Sequence, residues 1–351
     1  MSAPEAAALA GRRVFITGAG GFIGRTLVAR LTAFCGAQLT LLARGRMSAP
    51  AGARVLHARL SDRARIAEAL GEGDVVVHLA YDFAASEQHL LREHTAFLEA
   101  CAAARVGAFV QVSSIAVYDA WPGGDLSEDS ASDGGAYPYQ RVKRALERRL
   151  AASGVPHTIV QPTIVYGPES PQWTVRFLDA FRAGDVIFPE DAQGLCHAVY
   201  VDDVASALIA AAAAPQRGRA YIISGDAPPT WRAFLEAHAA IAQGGTLRLA
   251  PIPFDPPQAP AARSPLAHAV REGLVALIGR TGVDQLARIA AQARRKPGAA
   301  LFPDAGEAAL YRARGSCAIA RARAEIGYAP AIGFEEGMRR IAAWDASRRR
   351  V

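Results

Sequence analysis

The chain has 351 residues, 51% of them hydrophobic and 21% charged, with a net charge of +6. That length can bury one large core or two unequal ones, and no apolar run approaches the roughly 18 residues of a transmembrane helix. The positive excess shows neither the aromatic interleaving nor a recognisable module of a nucleic-acid binder. It reads as solvated surface at Arg294-Arg295-Lys296 and Arg348-Arg349-Arg350, with a field that attracts an anionic cofactor. Cys35, Cys101, Cys196 and Cys317 are far apart with no Cys-x-x-Cys pair, which points to a reduced, cytoplasmic protein. The eight histidines show no metal-ligand spacing, so no metal is expected. Met1 to Ala6 lacks a basic region and reads as a ragged terminus, not a signal peptide.

Residues 12–16, Arg-Arg-Val-Phe-Ile, read as a short buried strand. The loop Thr17-Gly18-Ala19-Gly20-Gly21-Phe22-Ile23-Gly24 follows, and a helix with an apolar face begins near Gly24. Strand, glycine turn and helix is the context of a dinucleotide fingerprint. Gly18 permits the tight turn, Gly21 lets backbone approach a pyrophosphate, and Gly24 lets helix and strand pack closely. The helix start offers unpaired N–H groups to phosphates, and Arg25 beside it can add a charge. A second strand, 38–42, ends at Ala43-Arg44-Gly45-Arg46. An acid about 20 residues after the last glycine suits the ribose hydroxyl of NAD, whereas an arginine suits the 2′-phosphate of NADP. Ala43 offers no acid and Arg44 stands next to it, so NADP is expected over NAD.

Further strands are expected near 54–57, 74–79, 108–113 and 157–161, alternating with helical stretches. That alternation predicts an α/β fold, a doubly wound parallel Rossmann sheet. His78 reads as a packed, satisfied residue. Ser114 stands at the end of the strand 108–113, where open α/β sheets gather functional groups. Tyr139 and Lys143 are four apart in a good helix sequence and so share a face. A free tyrosine has a pKa of about 10, and a lysine cation nearby favours the phenolate and eases proton transfer. Ser114 can then hydrogen-bond the substrate oxygen. Tyr137 and Arg141 make a near-copy of the pair, but arginine cannot replace the lysine smoothly.

These pieces together resemble the extended short-chain dehydrogenase/reductases, the NAD(P)-dependent epimerase/dehydratase superfamily. Asp74-Val75-Val76-Val77-His78-Leu79-Ala80, Ser113-Ser114-Ile115-Ala116-Val117-Tyr118, Pro138-Tyr139 with Lys143, Gln161 to Pro168, Val201 to Ala205 and Glu325 to Pro330 recur in the family's order. The resemblance runs from about residue 12 to 345. It implies a cofactor site at Gly18, Gly20, Gly21, Phe22, Ile23, Gly24, Arg44, Leu79, Ala80, Lys143 and Pro162, and catalysis by Ser114, Tyr139 and Lys143. It also implies a homodimer through the helices about 86–104 and 139–153, whose sequences are read as carrying more apolar surface than one sheet face needs.

The chain departs from the family at several places. A family asparagine falls at about Leu90. Arg59, with Asp62 near it, stands where many members place an adenine-binding Asp. Cys196 replaces an arginine that grips the pyrophosphate of nucleotide sugars, and Gln161 replaces another arginine. Ile115-Ala116 replaces the Asp-Glu pair of sugar dehydratases. These losses count against a nucleotide-sugar substrate and more strongly against a dehydratase.

The expected organisation is a nucleotide-binding domain over 1–168 plus 198–225. A smaller, mostly helical C-terminal substrate domain is expected over 169–197 plus 226–351. Asp202 and Asp203 open a helix and are expected to cap its N–H groups. The basic stretch 263–300 is expected to be helical and to cover the substrate pocket rather than touch a membrane. The leading expectation is an NADP-dependent oxidoreductase acting on a small alcohol or carbonyl. A sugar epimerase with a retained cofactor is the rival, and a non-catalytic nucleotide-binding sensor is the second.

Overall fold

Seven strands, all parallel to their neighbours, form the central sheet. In chain order they are β1 (Arg13–Thr17), β2 (Gln38–Ala43), β3 (Arg54–His57), β4 (Val75–His78), β5 (Ala108–Val112), β6 (His157–Pro162) and, much later, β10 (Arg219–Ile223). Their spatial order is β10-β6-β5-β4-β1-β2-β3. The computed structural model of the chain describes residues 9–135, 137–252 and 300–349. The basic stretch expected over 263–300 lies outside the described residues, except for Ala300.

Apart from the edge strand β3, the strands are largely buried because helices cover both faces of the sheet. One face packs on α1 (Phe22–Arg30) and α6 (Val201–Ala213), around Ile16, Leu27, Val77, Val110, Leu208 and Ile222. The other packs on α2 (Arg63–Ala69), α3 (Glu87–Ala103) and α4 (Pro138–Ala152), around Phe15, Phe97, Phe109 and Leu150. A third apolar cluster belongs to the C-terminal region. Phe177 and Phe181 of α5 (Arg176–Ala183) meet Trp231 and Phe234 of α7 (Trp231–Ala242) there, with Tyr166 of β7 (Ile164–Tyr166). Helices α8 (Ala305–Arg312), α9 (Ala320–Ile326) and α10 (Phe334–Arg348) complete this region.

The C-terminal region is helical, but it also contains strands that the sequence reading did not foresee. β8 (Val186–Pro189) pairs in parallel with β11 (Leu247–Ala250), and β7 pairs with β9 (Ala198–Tyr200). Such short apolar runs cannot be told from buried helix by periodicity. The first pair is pinned at its start by Asp185, whose carboxylate accepts the Thr246 N–H at 2.8 Å and the Thr246 hydroxyl at 3.1 Å.

One expectation needs correction. Asp203 does not cap its own helix. Its carboxylate accepts the backbone N–H groups of Ala331 (2.9 Å) and Ile332 (3.1 Å), because the chain before α10 folds back over the start of α6. Asp202 pairs instead with Arg340 at 3.2 Å. Both acids therefore fasten the C-terminal region to the sheet domain. The exposed large apolar side chains among the described residues are Phe34, Phe83, Leu249 and Phe302, none on α3 or α4, and Leu90 and Leu91 of α3 are half-buried. The outward positions of α4 carry Arg141, Arg148 and Arg149.

Among the described residues no helix is long and apolar enough to cross a membrane, and no cluster of side chains could hold a metal ion. All four cysteines are free.

Replacing Asp203 by Ala leaves the part-buried N–H groups of Ala331 and Ile332 without their acceptor. The expected cost is about 1–3 kcal/mol, read as a lower urea midpoint. An unchanged midpoint contradicts the role given to this carboxylate.

Candidate active site

β1 ends in the glycine loop, and the loop closes on itself. Gly18 has φ +71°, a left-handed conformation open to glycine, and a Cβ there would lie 2.7 Å from the Ala80 nitrogen. A Cβ on Gly24 would lie 2.2 Å from the Gly18 carbonyl oxygen. One on Gly21 would come within 3.1 Å of that same oxygen, while one on Gly20 would make an ordinary contact with the Met47 sulfur at 3.9 Å. The turn is held by the Gly21 N–H donating to the Gly18 carbonyl at 2.9 Å. Helix α1 then starts at Phe22 with Gly21 as its N-cap, no side-chain cap and no acid in its first turn. Its leading N–H groups and dipole are left for an anion. This cradle fits a dinucleotide diphosphate. Arg25 donates to the Gly20 carbonyl at 2.8 Å and pairs with Glu169.

The strands beside β1 bring the next groups to the same edge. Leu79 and Ala80 follow β4, and Thr17 ties them to β1. Its carbonyl accepts the Leu79 N–H at 3.2 Å, and its hydroxyl accepts the Ala80 N–H at 3.2 Å. Ser114 follows β5 and begins a short helical turn, Ile115–Val117, with its hydroxyl accepting the Ala116 N–H at 3.2 Å. Pro162 ends β6, beside Ile223 of β10.

Tyr139 and Lys143 lie on the first two turns of α4, facing the end of β5. Burial pushes the Tyr139 phenol above its ordinary value, and the neighbouring Ser114 hydroxyl draws it partly back. Lys143 is buried and donates to the Val112 carbonyl at 3.0 Å. Burial holds its ammonium down to about 8, with the Glu147 carboxylate acting the other way. Its Nζ lies 5.8 Å from the Tyr139 ring centroid and only 4.5 Å from that of Tyr81. So the sequence-predicted triplet does come together. Yet the lowering of the tyrosine by the lysine, expected from sequence, is not seen here: burial raises the phenol, and the group acting the other way is Ser114.

Three neighbours were missed. Tyr81 meets the Tyr139 ring edge-on, with centroids 5.4 Å apart. Phe83 stacks on Tyr139 at 6.0 Å and 13°. Between them Asp82 pairs with Arg44 at 3.1 Å, so the arginine singled out for a 2′-phosphate already has a carboxylate against it. The signal was present in the run Tyr81-Asp82-Phe83, directly after Leu79-Ala80. Tyr137, the near-copy, is the N-cap residue of α4 and lies outside this ring cluster. Asp62 caps α2 through the Arg65 N–H at 3.4 Å. Leu90, at the family's asparagine position, is half-buried on α3.

Strand order and glycine loop place the chain in the class of doubly wound dinucleotide-binding proteins. More narrowly, it belongs to the NAD-dependent epimerase/dehydratase family, whose model matches residues 14–224, that is, to the extended short-chain dehydrogenase/reductases. A 2-alkyl-3-oxoalkanoate reductase of Shewanella oneidensis is 25% identical over 249 residues, 62% of this chain and 62% of that protein. The match thus takes in less than two thirds of that reductase. A Stigmatella aurantiaca ketoreductase of a farnesylated dihydroquinoline oxide is 26% identical over 239 residues, 64% of this chain and 71% of its own. Solved structures share the fold across nearly the whole chain. An epimerase of Methanothermobacter thermautotrophicus has a TM-score of 0.71 at 16% identity, covering 99% of this chain and 95% of its own. A dTDP-glucose 4,6-dehydratase of Streptomyces venezuelae, with NAD bound, has a TM-score of 0.70 at 19% identity, covering 96% and 98%.

A buried polar layer lies beneath the site. The Thr17 hydroxyl and His78 Nδ1 are 2.8 Å apart, and the His78 ring packs against His94 with centroids at 5.4 Å. His94 Nε2 donates to the Gln111 side-chain oxygen at 2.7 Å. Burial pushes His94 down to about 4. A base whose folded-state value is depressed binds fewer protons folded than unfolded in the window between the two values. Stability therefore falls as pH drops from about 6.5 to about 4, by up to about 1.4 kcal/mol per pH unit for each such histidine. Urea midpoints of wild type and His94→Gln across this window should show a shallower fall in the variant. Equal slopes contradict the assignment.

Proposed function

We propose that the chain is an NAD(P)-dependent oxidoreductase that moves a hydride between nicotinamide and an alcohol or carbonyl substrate. The observation that carries this reading is the convergence of Ser114, Tyr139 and buried Lys143 at strand ends next to the glycine cradle. In this reading residues 1–168 plus 198–225 hold the cofactor, and 169–197 plus 226–351 build the substrate side. Gly18, Gly20, Gly21, Phe22, Ile23 and Gly24 cradle its diphosphate, with Leu79, Ala80, Pro162 and Lys143 lining its path. When bound, the cofactor supplies or takes the hydride at the substrate carbon.

Tyr139 is the acid/base. In reduction it gives its phenolic proton to the carbonyl oxygen, and in oxidation it takes that proton back. The carbonyl thereby gains one hydride and one proton and becomes an alcohol. Ser114 clamps the substrate oxygen. Lys143 stabilises the phenolate left on Tyr139 after proton transfer.

Both curated relatives are, by name, ketone reductases, which supports reduction over epimerisation. The chain's own residues lean the same way. Cys196 is fully buried. Gln161 accepts from Tyr118 at 2.6 Å and donates to Glu147 at 3.0 Å. Neither offers a cation to a sugar-nucleotide pyrophosphate. Ile115 packs in the core, so the dehydratase carboxylates have no counterpart at that place.

NADPH is expected to bind more tightly than NADH through Arg44, by about tenfold. Arg44→Ala should erase the difference. Asp82→Asn should widen it, because the carboxylate at 3.1 Å competes with a 2′-phosphate for the guanidinium. Fluorescence titration of both cofactors checks this, and equal affinities in wild type contradict it.

Tyr139→Phe is expected to lower turnover by about 10²–10⁴ while leaving cofactor affinity nearly intact. Tyr137→Phe, outside the ring cluster, should be near silent. With Lys143 held down to about 8, its cation is present below that pH and is lost as pH rises through it. Wild-type kcat/KM should therefore fall on the alkaline side of about 8. Full activity in Tyr139→Phe contradicts the assignment.

A further inference from the structure

The loop after β4 presents an aromatic surface that the proton transfer does not require. Phe83 is 80% exposed, yet one face of its ring lies parallel to Tyr139. Tyr81 meets both rings edge-on, at 4.8 Å from Phe83 and 5.4 Å from Tyr139. The turn that carries them is firmly fixed. The Asp82 carboxylate accepts the Ala84 N–H at 3.0 Å, and its carbonyl accepts the Ala85 N–H at 3.1 Å. Asp82 itself is buried and paired with Arg44. Phe83 is thus held out beside Tyr139 by its own backbone.

A lone exposed phenylalanine means little. This one is continuous with the ring whose hydroxyl meets Ser114. Any carbonyl oxygen held between Ser114 and Tyr139 places the rest of its molecule next to these rings. The ionisable groups that act on Tyr81 are Tyr139 and the acid Glu87, and its ring already covers Lys143. A flat uncharged group gains ring contact there.

We propose that Tyr81 and Phe83 form the substrate wall and select ketones, or the matching alcohols, that carry a planar apolar group next to the reacting carbon. This rests on the oxidoreductase reading above and adds the substrate class to it. Phe83 supplies the face and Tyr81 backs it.

The test uses two methyl ketones as probes, acetophenone and hydroxyacetone, with the full chain and saturating NADPH or NADH. Saturation-transfer NMR reads binding without turnover, and cofactor absorbance reads turnover. Acetophenone should bind wild type about tenfold more tightly than it binds Phe83→Ala, with Phe83→Trp keeping the affinity. In turnover, the Phe83→Ala loss should appear in KM rather than kcat. Hydroxyacetone should discriminate little between the three proteins. Failure of acetophenone to bind wild type, or equal binding to Phe83→Ala, overturns the wall. The oxidoreductase reading fails separately: Phe83-dependent binding without cofactor turnover of any ketone leaves the wall standing and removes the reaction.

Discussion

Two missing side chains hold the site together. With only hydrogen at Gly18 and Gly24, the loop oxygen of Gly18 can sit where a Cβ on Gly24 would be, 2.2 Å away. That contact lets α1 begin directly above the end of β1, with its N–H groups turned to the cleft. The left-handed turn at Gly18 also admits the Ala80 backbone against the loop. The chain after β4 is thereby drawn in, and with it Tyr81, Asp82 and Phe83. Widening either contact by one methyl group would separate the phosphate cradle from the aromatic loop.

Burial sets the charges around Tyr139. Lys143 loses water and has a backbone carbonyl and the face of Tyr81 in exchange. Its ammonium is thereby weakened, and the Tyr139 phenol keeps its proton. In the proposed reaction, a phenol so held is the proton donor that reduction requires. Arg44 shows a similar economy at the other end of the cleft. Its partner Asp82 belongs to the same short loop as Phe83, so the residue read as a cofactor contact is linked through Asp82 to the ring stacked on Tyr139.

Most of the sheet was legible. The strands over 12–16, 38–42, 54–57 and 157–161 match to within a residue, because a parallel strand covered on both faces leaves a largely apolar run. The i, i+4 spacing likewise placed Tyr139 and Lys143 on one face of α4. What sequence left out depends on long-range contact. Asp203 looked like a helix cap because it stands at a helix start, whereas its partners are 128 and 129 residues away. The strands β8 and β11 are joined across 61 residues by Asp185 and Thr246. The stacking of Phe83 on Tyr139 joins residues 56 apart, and no local pattern announces it.

The central claim is that a hydride passes directly between nicotinamide and a substrate carbon while Tyr139 moves the proton. Single-turnover reduction of a ketone by wild-type protein, with NADPH deuterated at the transferring C4 position, tests it most directly. The account predicts deuterium on the carbinol carbon of the alcohol, ordinary hydrogen on that carbon in unlabelled cofactor run in heavy water, and a primary isotope effect on the chemical step. Carbinol deuterium drawn from heavy water, or none from the labelled cofactor, would contradict it.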